Sequence, residues 1–307
     1  MLRILLVESL NPAAEARLAA HAEVRRAPAG DDSVLCEAIR DCDAAIVRTS
    51  CAVSARVLAA GRPRLCVVGV AGVGTDRVDL AAANALGVVV LNRAAAASAA
   101  VAEFTLALIL NLLRPVHALA RRGRGAGFDA ARAVAHGVEL RGLTVGVVGM
   151  GRIGSRVARL CAEGFHADVL FYDVAPVGPF NFAATSVDPA RLWSTSDIVT
   201  LHTPLTEITR RMVDERLLRT VKSSARLINT ARGAIVDTAA LVDALREGRL
   251  GGAALDVTDP EPLPADHAFH EMPNVIVTPH VAARTHAGVE GMFGIADDVL
   301  AFLRDRS

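Results

Sequence analysis

Three polar side chains in the second half of the chain follow short apolar runs. Arg232 closes the segment Leu227-Ile-Asn-Thr-Ala-Arg-Gly233, Glu261 stands between Pro260 and Pro262, and His280 follows Val275-Ile-Val-Thr-Pro279. In an open α/β sheet, ligands bind at the C-terminal ends of the strands. An arginine there can clamp a carboxylate through two parallel hydrogen bonds. Histidine is the side chain best suited to exchanging a proton near neutral pH. A carboxylate on a backbone stiffened by flanking prolines is suited to orienting another group. Taken singly, each has an ordinary reading: a surface arginine, a Pro-rich loop, a structural histidine. Taken together they make an anion clamp beside an acid/base pair.

The partner for such chemistry is written upstream. Residues 144–155 read Thr-Val-Gly-Val-Val-Gly-Met-Gly-Arg-Ile-Gly-Ser. An apolar run that reads as a buried strand meets Gly149, Gly151 and Gly154, spaced Gly-x-Gly-x-x-Gly. A helical pattern follows, with Ile153, Val157 and Leu160 on one face. Gly149 permits the tight turn, Gly151 lets a pyrophosphate approach the backbone, and Gly154 lets helix and strand pack closely. The helix N-terminus offers free N–H groups and a partial positive charge to the phosphates. The next apolar run ends in Asp173, about 20 residues beyond the last glycine. An acid at that distance accepts hydrogen bonds from the ribose hydroxyls of NAD and repels the extra phosphate of NADP. Three glycines alone can be an ordinary βα turn. The strand before, the helix after and the acid at that distance make a dinucleotide site the stronger reading.

The elements that must position these groups are legible in outline. A chain of 307 residues is enough for about two domains. With 52% hydrophobic and 21% charged residues the composition is globular. A formal net charge of +0 points to neither nucleic acid nor an anionic membrane as partner. The five cysteines, Cys36, Cys42, Cys51, Cys66 and Cys161, form no Cys-x-x-Cys pair. Free thiols in a reducing cytosol are the expectation, and no metal site is expected. Glu8 and Pro12 come too soon for a signal peptide. The apolar run 104–113 is too short to span a bilayer. A cytoplasmic protein is expected.

Strands are expected at 3–7, 23–26, 44–48, 65–70 and 88–91, alternating with helices at 12–21, 33–40, 54–60 and 80–86. A long Ala-rich helix should cover 94–117, and an exposed arm or loop 121–136. A second sheet begins at 144, with later strands at 169–172, 198–201, 226–229, 253–256 and 275–277. A helix over 289–303 closes the chain. The fold class is α/β, with two doubly wound parallel-sheet domains. Residues 95–283 would form a Rossmann NAD-binding domain. Residues 1–94 and 284–307 would form a flavodoxin-like substrate (catalytic) domain, with the site in the cleft between them.

Asn229-Thr-Ala-Arg-Gly233, Ala254-Leu-Asp-Val257, Pro260-Glu-Pro262, Thr278-Pro-His280 and Gly149-Met-Gly-Arg-Ile-Gly154 resemble the signature segments of the D-isomer-specific 2-hydroxyacid dehydrogenases. The likeness extends to Arg48-Thr49 and Ala71-Gly-Val-Gly74. It leans toward the branch of the phosphoglycerate dehydrogenases and hydroxypyruvate or glyoxylate reductases. The resemblance implies hydride transfer between nicotinamide C4 and C2 of a small 2-hydroxy or 2-keto acid. Arg232 would bind the substrate carboxylate and carbonyl, His280 would be the acid/base, and Glu261 would orient it. Backbone N–H groups at Val73 and Gly74, with Arg48 and Thr49, would bind substrate. Arg152, Ile153, Asp173, Thr203, Thr230, Ala231 and Asp256 would join the three glycines in contacting NAD, with Asp256 at the nicotinamide carboxamide. The arm at 121–136 would build a homodimer.

Departures from the family pattern concern the substrate. Val70 stands where phosphoglycerate dehydrogenases tend to carry arginine, although Arg48 and Arg132 match anion-binding positions of that branch. Asn92-Arg-Ala-Ala-Ala-Ala97 lacks the family's usual proline and second asparagine. Ala130 and Ala135 replace aromatic residues of the arm. Two other readings keep the fold: an unusual substrate such as phosphite, and an NAD(H)-sensing scaffold like the transcriptional corepressors that resemble this family.

Overall fold

Short apolar runs, buried on both faces, build two parallel sheets. A computed structural model describes residues 1–133 and 137–306. The chain divides into two compact units, Met1–Ser98 with Ala283–Ser307, and Ala99–Ala282.

The first unit holds β1 (Arg3–Val7), β2 (Glu23–Ala27), β3 (Ala44–Arg48), β4 (Val67–Ala71) and β5 (Val89–Asn92). They form one sheet in the order β2-β1-β3-β4-β5, every pair parallel. Leu5, Val7, Ala45, Val47, Val68 and Val70 face one layer with Leu35, Val57 and Leu58. Their sequence neighbours Ile4, Leu6, Ala44, Ile46 and Val67 face the other, with Leu18, Ile295, Val299 and Leu303. That period of two is why the strands read as nearly unbroken apolar runs: both faces are covered. Asn11, Asp31, Ser54 and Asp79 cap the helices on this sheet by accepting backbone N–H groups. The strand order reverses between β1 and β3, the flavodoxin-like arrangement.

The second unit holds β6 (Thr144–Val148), β7 (Asp168–Tyr172), β8 (Thr185–Ser186), β9 (Ile198–Leu201), β10 (Arg226–Asn229), β11 (Gly252–Leu255) and β12 (Val275–Val277). Their order is β12-β11-β10-β9-β6-β7-β8, again parallel throughout. The reversal falls between β6 and β9, so the switch point lies at the glycine fingerprint. Val145, Val147, Val169, Ile198 and Ile228 pack with Ile109 and Leu113 of the helix Ser98–Leu113. Leu201, Leu227 and Leu255 pack with Leu192, Leu241 and Leu245 on the other face.

Three segments differ from the sequence expectation. Residues 94–97 are turns, and the long helix runs only Ser98–Leu113. Tertiary packing overrides alanine's helix propensity: Ala96 lies against Gly291, within the first unit. Pro115 ends that helix at its other end. The segment 121–136, expected as an exposed arm or loop, is helical at Phe128–Ala133 and takes in the end of a separate helix, Val116–Arg122. Its Ala and Arg content favours helix, and the glycines at 123, 125 and 127 merely interrupt it. Ala135 and His136 lie outside the described residues. The closing helix is two, His286–Phe293 and Ile295–Asp305. At the break Arg93 Nη2 donates to the Gly294 carbonyl (2.9 Å), and Arg93 Nε and Nη2 donate to Asp298 at 2.6 and 2.7 Å. The strand at 185–186 and the helix Pro189–Thr195 had not been anticipated.

The cysteines are all free. Burial pushes the Cys161 thiol up to about 12 and the Cys51 thiol up to about 11, so both stay protonated and inert near neutral pH. No single described helix is long and apolar enough to cross a membrane.

Leu18 is fully buried between the first sheet and the C-terminal helix. Leu18→Ala should lower the unfolding free energy by about 2–5 kcal/mol. Urea denaturation followed by circular dichroism measures it, and a loss well under about 1 kcal/mol would show that this layer closes up around the cavity.

Candidate active site

In the second unit, the loops after β6, β7 and β9 meet. Gly149 has φ +90, backbone that a residue with a Cβ rarely adopts. A Cβ there would stand 2.8 Å from the His202 carbonyl and 2.9 Å from Thr203 Cγ2. Thr203 therefore lies directly beside the first fingerprint glycine. A Cβ on Gly151 would meet nothing within 4 Å, so the space above the second glycine is open. On Gly154 it would collide with the Gly149 carbonyl, the close turn-to-helix packing that the sequence implied. Ile153 is the N-cap of the helix Gly154–Arg159, and no side chain caps it. Arg152 is exposed beside it.

Asp173 follows β7 and reaches back to the fingerprint. Its Oδ2 accepts the Met150 N–H (2.7 Å) and its Oδ1 the Ala175 N–H (3.0 Å). A carboxylate has about four lone-pair sites, so both oxygens can still accept a ribose hydroxyl. Thr203 Oγ1 is buried and has no hydrogen-bond partner. An orphan hydroxyl at the switch point is a polar group waiting for a ligand. His202, next to it, places Nε2 2.9 Å from Thr200 Oγ1, and desolvation pushes its pKa from 6.5 down to about 3.

At the end of β10, Asn229 is fully buried. Its Oδ1 accepts the Ala231 N–H (3.0 Å) and its Nδ2 donates to the Arg232 carbonyl (2.8 Å). This pair folds residues 229–232 into the turn that carries Arg232. Arg232 Nη1 donates to the Ala231 carbonyl at 2.7 Å. Gly233 lets that turn touch the loop after β11, since a Cβ would fall 2.0 Å from the Thr258 carbonyl. Thr230 Oγ1 lies 2.9 Å from Thr105 Oγ1, whose own proton goes to the Val101 carbonyl (2.7 Å). Thr230 is thus the donor in that contact and turns only lone pairs to anything else.

His280 and Glu261 come together. Nδ1 of the histidine is 2.7 Å from Glu261 Oε1, both side chains being about 40% exposed. A carboxylate facing Nδ1 requires that nitrogen to carry its proton, which leaves Nε2 as the exchangeable position. Asp256, 1% exposed, does not open toward solvent. Oδ1 accepts from the Thr278 hydroxyl (2.6 Å) and the Val281 N–H (2.9 Å), and Oδ2 accepts the Ala282 N–H (2.9 Å). These bonds tie Asp256 to the loop that carries His280. Sequence reasoning passed over Asn229 and Thr278. Both sit inside the quoted motifs, one residue before Thr230 and two before His280.

The first unit assembles its own residues at the ends of β3 and β4. Arg48 ends β3, its Cζ 5.8 Å from the centroid of the Phe293 ring. Thr49 packs its methyl against Gly72. Val73 and Gly74 follow β4, held by Asn92 Nδ2 donating to the Val73 carbonyl (2.5 Å) and by the Arg93 N–H donating to the Gly72 carbonyl (3.2 Å). No group of His, Cys, Asp and Glu among the described residues is arranged to hold a metal ion.

A doubly wound sheet with an uncapped glycine turn at its switch point and an acid just after the next strand defines a dinucleotide-binding domain. Residues 106–282 match the family described as D-isomer specific 2-hydroxyacid dehydrogenase, NAD binding domain. A glyoxylate reductase of Korarchaeum cryptofilum is 37% identical over 88% of this chain and 82% of its own. A D-3-phosphoglycerate dehydrogenase of Methanocaldococcus jannaschii is 37% identical over 93% of this chain, which spans about half, 54%, of that relative. The crystal structure of D-lactate dehydrogenase from Aquifex aeolicus complexed with NAD and lactic acid is similar with a TM-score of 0.86 at 29% identity, over 98% of this chain and 96% of the other. The chain belongs to the D-isomer specific 2-hydroxyacid dehydrogenase family. It is an NAD-dependent oxidoreductase acting on a CH–OH group. The open space over Gly151 and the orphan Thr203 hydroxyl fit that cofactor.

Thr203→Val should leave the protein without NADH as stable or more stable by about 1 kcal/mol, because it removes an unsatisfied buried hydroxyl. It should also weaken NADH binding. Thermal unfolding with and without NADH separates the two effects; a Thr203→Val protein with undiminished NADH affinity would show that the cofactor does not meet this hydroxyl. A pH effect follows from His202. In the unfolded chain it takes a proton below about 6.5, its ordinary value, whereas in the folded chain it does so only near 3. The unfolded state binds more protons in between, so stability falls as pH drops through that window. His202→Gln should flatten part of this slope in unfolding titrations.

Proposed function

We propose that the protein interconverts a small 2-ketoacid and its D-2-hydroxy acid, with Arg232, Glu261 and His280 as its catalytic residues. The observation that carries the reading is the 2.7 Å contact of His280 Nδ1 with Glu261, which leaves Nε2 to exchange the proton. Bound NAD(H) supplies the hydride donor or acceptor at nicotinamide C4. Arg232 binds the carboxylate and the C2 oxygen of the substrate. In reduction, His280 Nε2 gives its proton to that oxygen; in oxidation it takes the proton from the alcohol. Negative charge gathers on the C2 oxygen as the ketone is reduced. A guanidinium and an imidazolium aimed there stabilise the transition state more than the ground state. Glu261 holds the ring in one tautomer.

The unit formed by residues 1–94 and 284–307 is the substrate side in this reading. The N–H groups of Val73 and Gly74, with Arg48 and Thr49, receive the acid. Fingerprint residues Gly149 to Gly154, with Asp173, Thr203, Thr230 and Ala231, hold the cofactor. The glyoxylate reductase and phosphoglycerate dehydrogenase relatives support a short, highly oxidised substrate. We read the protein as cytoplasmic, supported by its free cysteines. We also read it as a homodimer, supported by Val116 and Phe128, which expose 67% and 59% of their surface on the two helices of the arm.

NADH oxidation against glyoxylate, hydroxypyruvate, phosphohydroxypyruvate, pyruvate and branched ketoacids should find turnover on at least one, with NADH preferred over NADPH. On that substrate His280→Gln should cut kcat by about 10²–10⁴-fold while NADH still binds. Near wild-type turnover of H280Q would remove His280 from the mechanism. Light scattering at micromolar concentration should give twice the chain mass, and F128E should shift it toward one; a wild-type monomer would end the dimer reading.

A further inference from the structure

His280 has φ +54, in the left-handed region that a side chain with a Cβ rarely occupies. Such a residue persists only where its surroundings over-determine it. Here they are supplied almost wholly by one residue. The Asp256 carbonyl accepts the His280 N–H at 2.9 Å. The Asp256 carboxylate accepts the hydroxyl of Thr278 and the N–H groups of Val281 and Ala282. Asp256 follows β11 and residue 278 follows β12, its neighbour in the sheet, with the Thr278 N–H donating to the Leu255 carbonyl at 2.9 Å. Pro279 lies between and has no N–H to offer. Every remaining residue from 278 to 282 is thus fastened to Asp256. The carboxylate is buried, so its charge is spent inward on this loop rather than toward solvent.

We propose that Asp256 and Thr278 are positioning residues for the reaction: they form a clamp that fixes His280 in its left-handed conformation and so keeps Nδ1 on Glu261 and Nε2 facing outward. The inference rests on the acid/base role of His280 proposed above. It goes beyond that role in giving Asp256 a task in the loop and Thr278 a function. Without the Thr278 hydroxyl, one Asp256 oxygen loses its 2.6 Å donor and the loop loses its attachment just ahead of His280. The imidazole is then free to leave Glu261. A displacement of about 1 Å in a reacting group costs on the order of 10²-fold in rate.

The test uses Thr278→Val, which keeps the shape and drops the hydroxyl, and Thr278→Ser, which keeps the hydroxyl. T278V should lose about 10–100-fold in kcat with NADH affinity, read by fluorescence titration, unchanged. T278S should recover most of the rate. In protein carrying ¹⁵N-histidine, the imidazole N–H that faces Glu261 should give a proton resonance far downfield. That resonance should be present in the wild type and T278S and lost or moved in T278V. Asp256→Asn should lose kcat at saturating NADH as T278V does. Should Asp256→Asn not fold, the Thr278 pair decides alone. A T278V protein with wild-type kcat and an unmoved resonance would overturn the clamp. So would a D256N protein that weakens NADH binding but keeps kcat at saturating NADH, since that marks a cofactor contact. An active H280Q would remove the acid/base reading, and the resonance would then judge the clamp by itself.

Discussion

The chemistry of this protein depends on parallel strands ending along one edge. In a parallel ladder every strand delivers its C-terminal residue to the same side, and the register sets which loops become neighbours. Val148 lies opposite Leu201 and Asn229 opposite both Leu201 and Leu255, so the fingerprint, Thr203, the Arg232 turn and Asp256 follow adjacent strand ends. β12 adds His280 beyond Asp256. Residues scattered over more than a hundred positions of sequence become one row of loops because six backbone ladders hold them in step.

Burial underwrites that row. The strands carry apolar side chains on both faces, and helices cover both, so the register cannot slip by one residue without exposing a layer of Val, Leu and Ile. Loops standing on such strands inherit their rigidity. This allows two departures from ordinary backbone practice. Gly149 takes a positive φ with the His202 carbonyl pressed against it, and His280 takes one with its Cβ in place. Polar groups at the strand ends are satisfied by one another, as with Asn229, Asp256 and Thr278, while Thr203 Oγ1, buried and without a partner, lies at the switch point.

Local pattern carried much of this into the sequence. Short unbroken apolar runs marked the strands. The fingerprint was legible because three glycines, a strand and an acid are all local signals. Arg232, Glu261 and His280 stood out by residue type. The misjudged segments were those where a distant contact outweighed local preference. Residues 94–97 look helical until Ala96 meets Gly291, and the last helix looks continuous until Arg93 bonds Gly294 and Asp298. In the arm the error ran the other way, since scattered glycines hid a good helical composition.

What the sequence alone determined about this protein is its class of chemistry and its fold: two parallel α/β units, NAD, and a set of groups fit for hydride transfer to a small acid. The fold and the dinucleotide site follow from residue types and short-range spacing, which are properties of a linear string, and the small acid from the resemblance of short motifs to one family. What only the tertiary structure decided is where each polar side chain spends its hydrogen bonds. Asp256 turns to the 278–282 loop, Thr230 is committed as donor to Thr105, and Thr203 is left over. A carboxylate or hydroxyl reads the same in sequence whether it faces a ligand or a neighbouring loop. The difference is made by the partners that sheet register and buried packing bring within 3 Å, about the reach of a hydrogen bond.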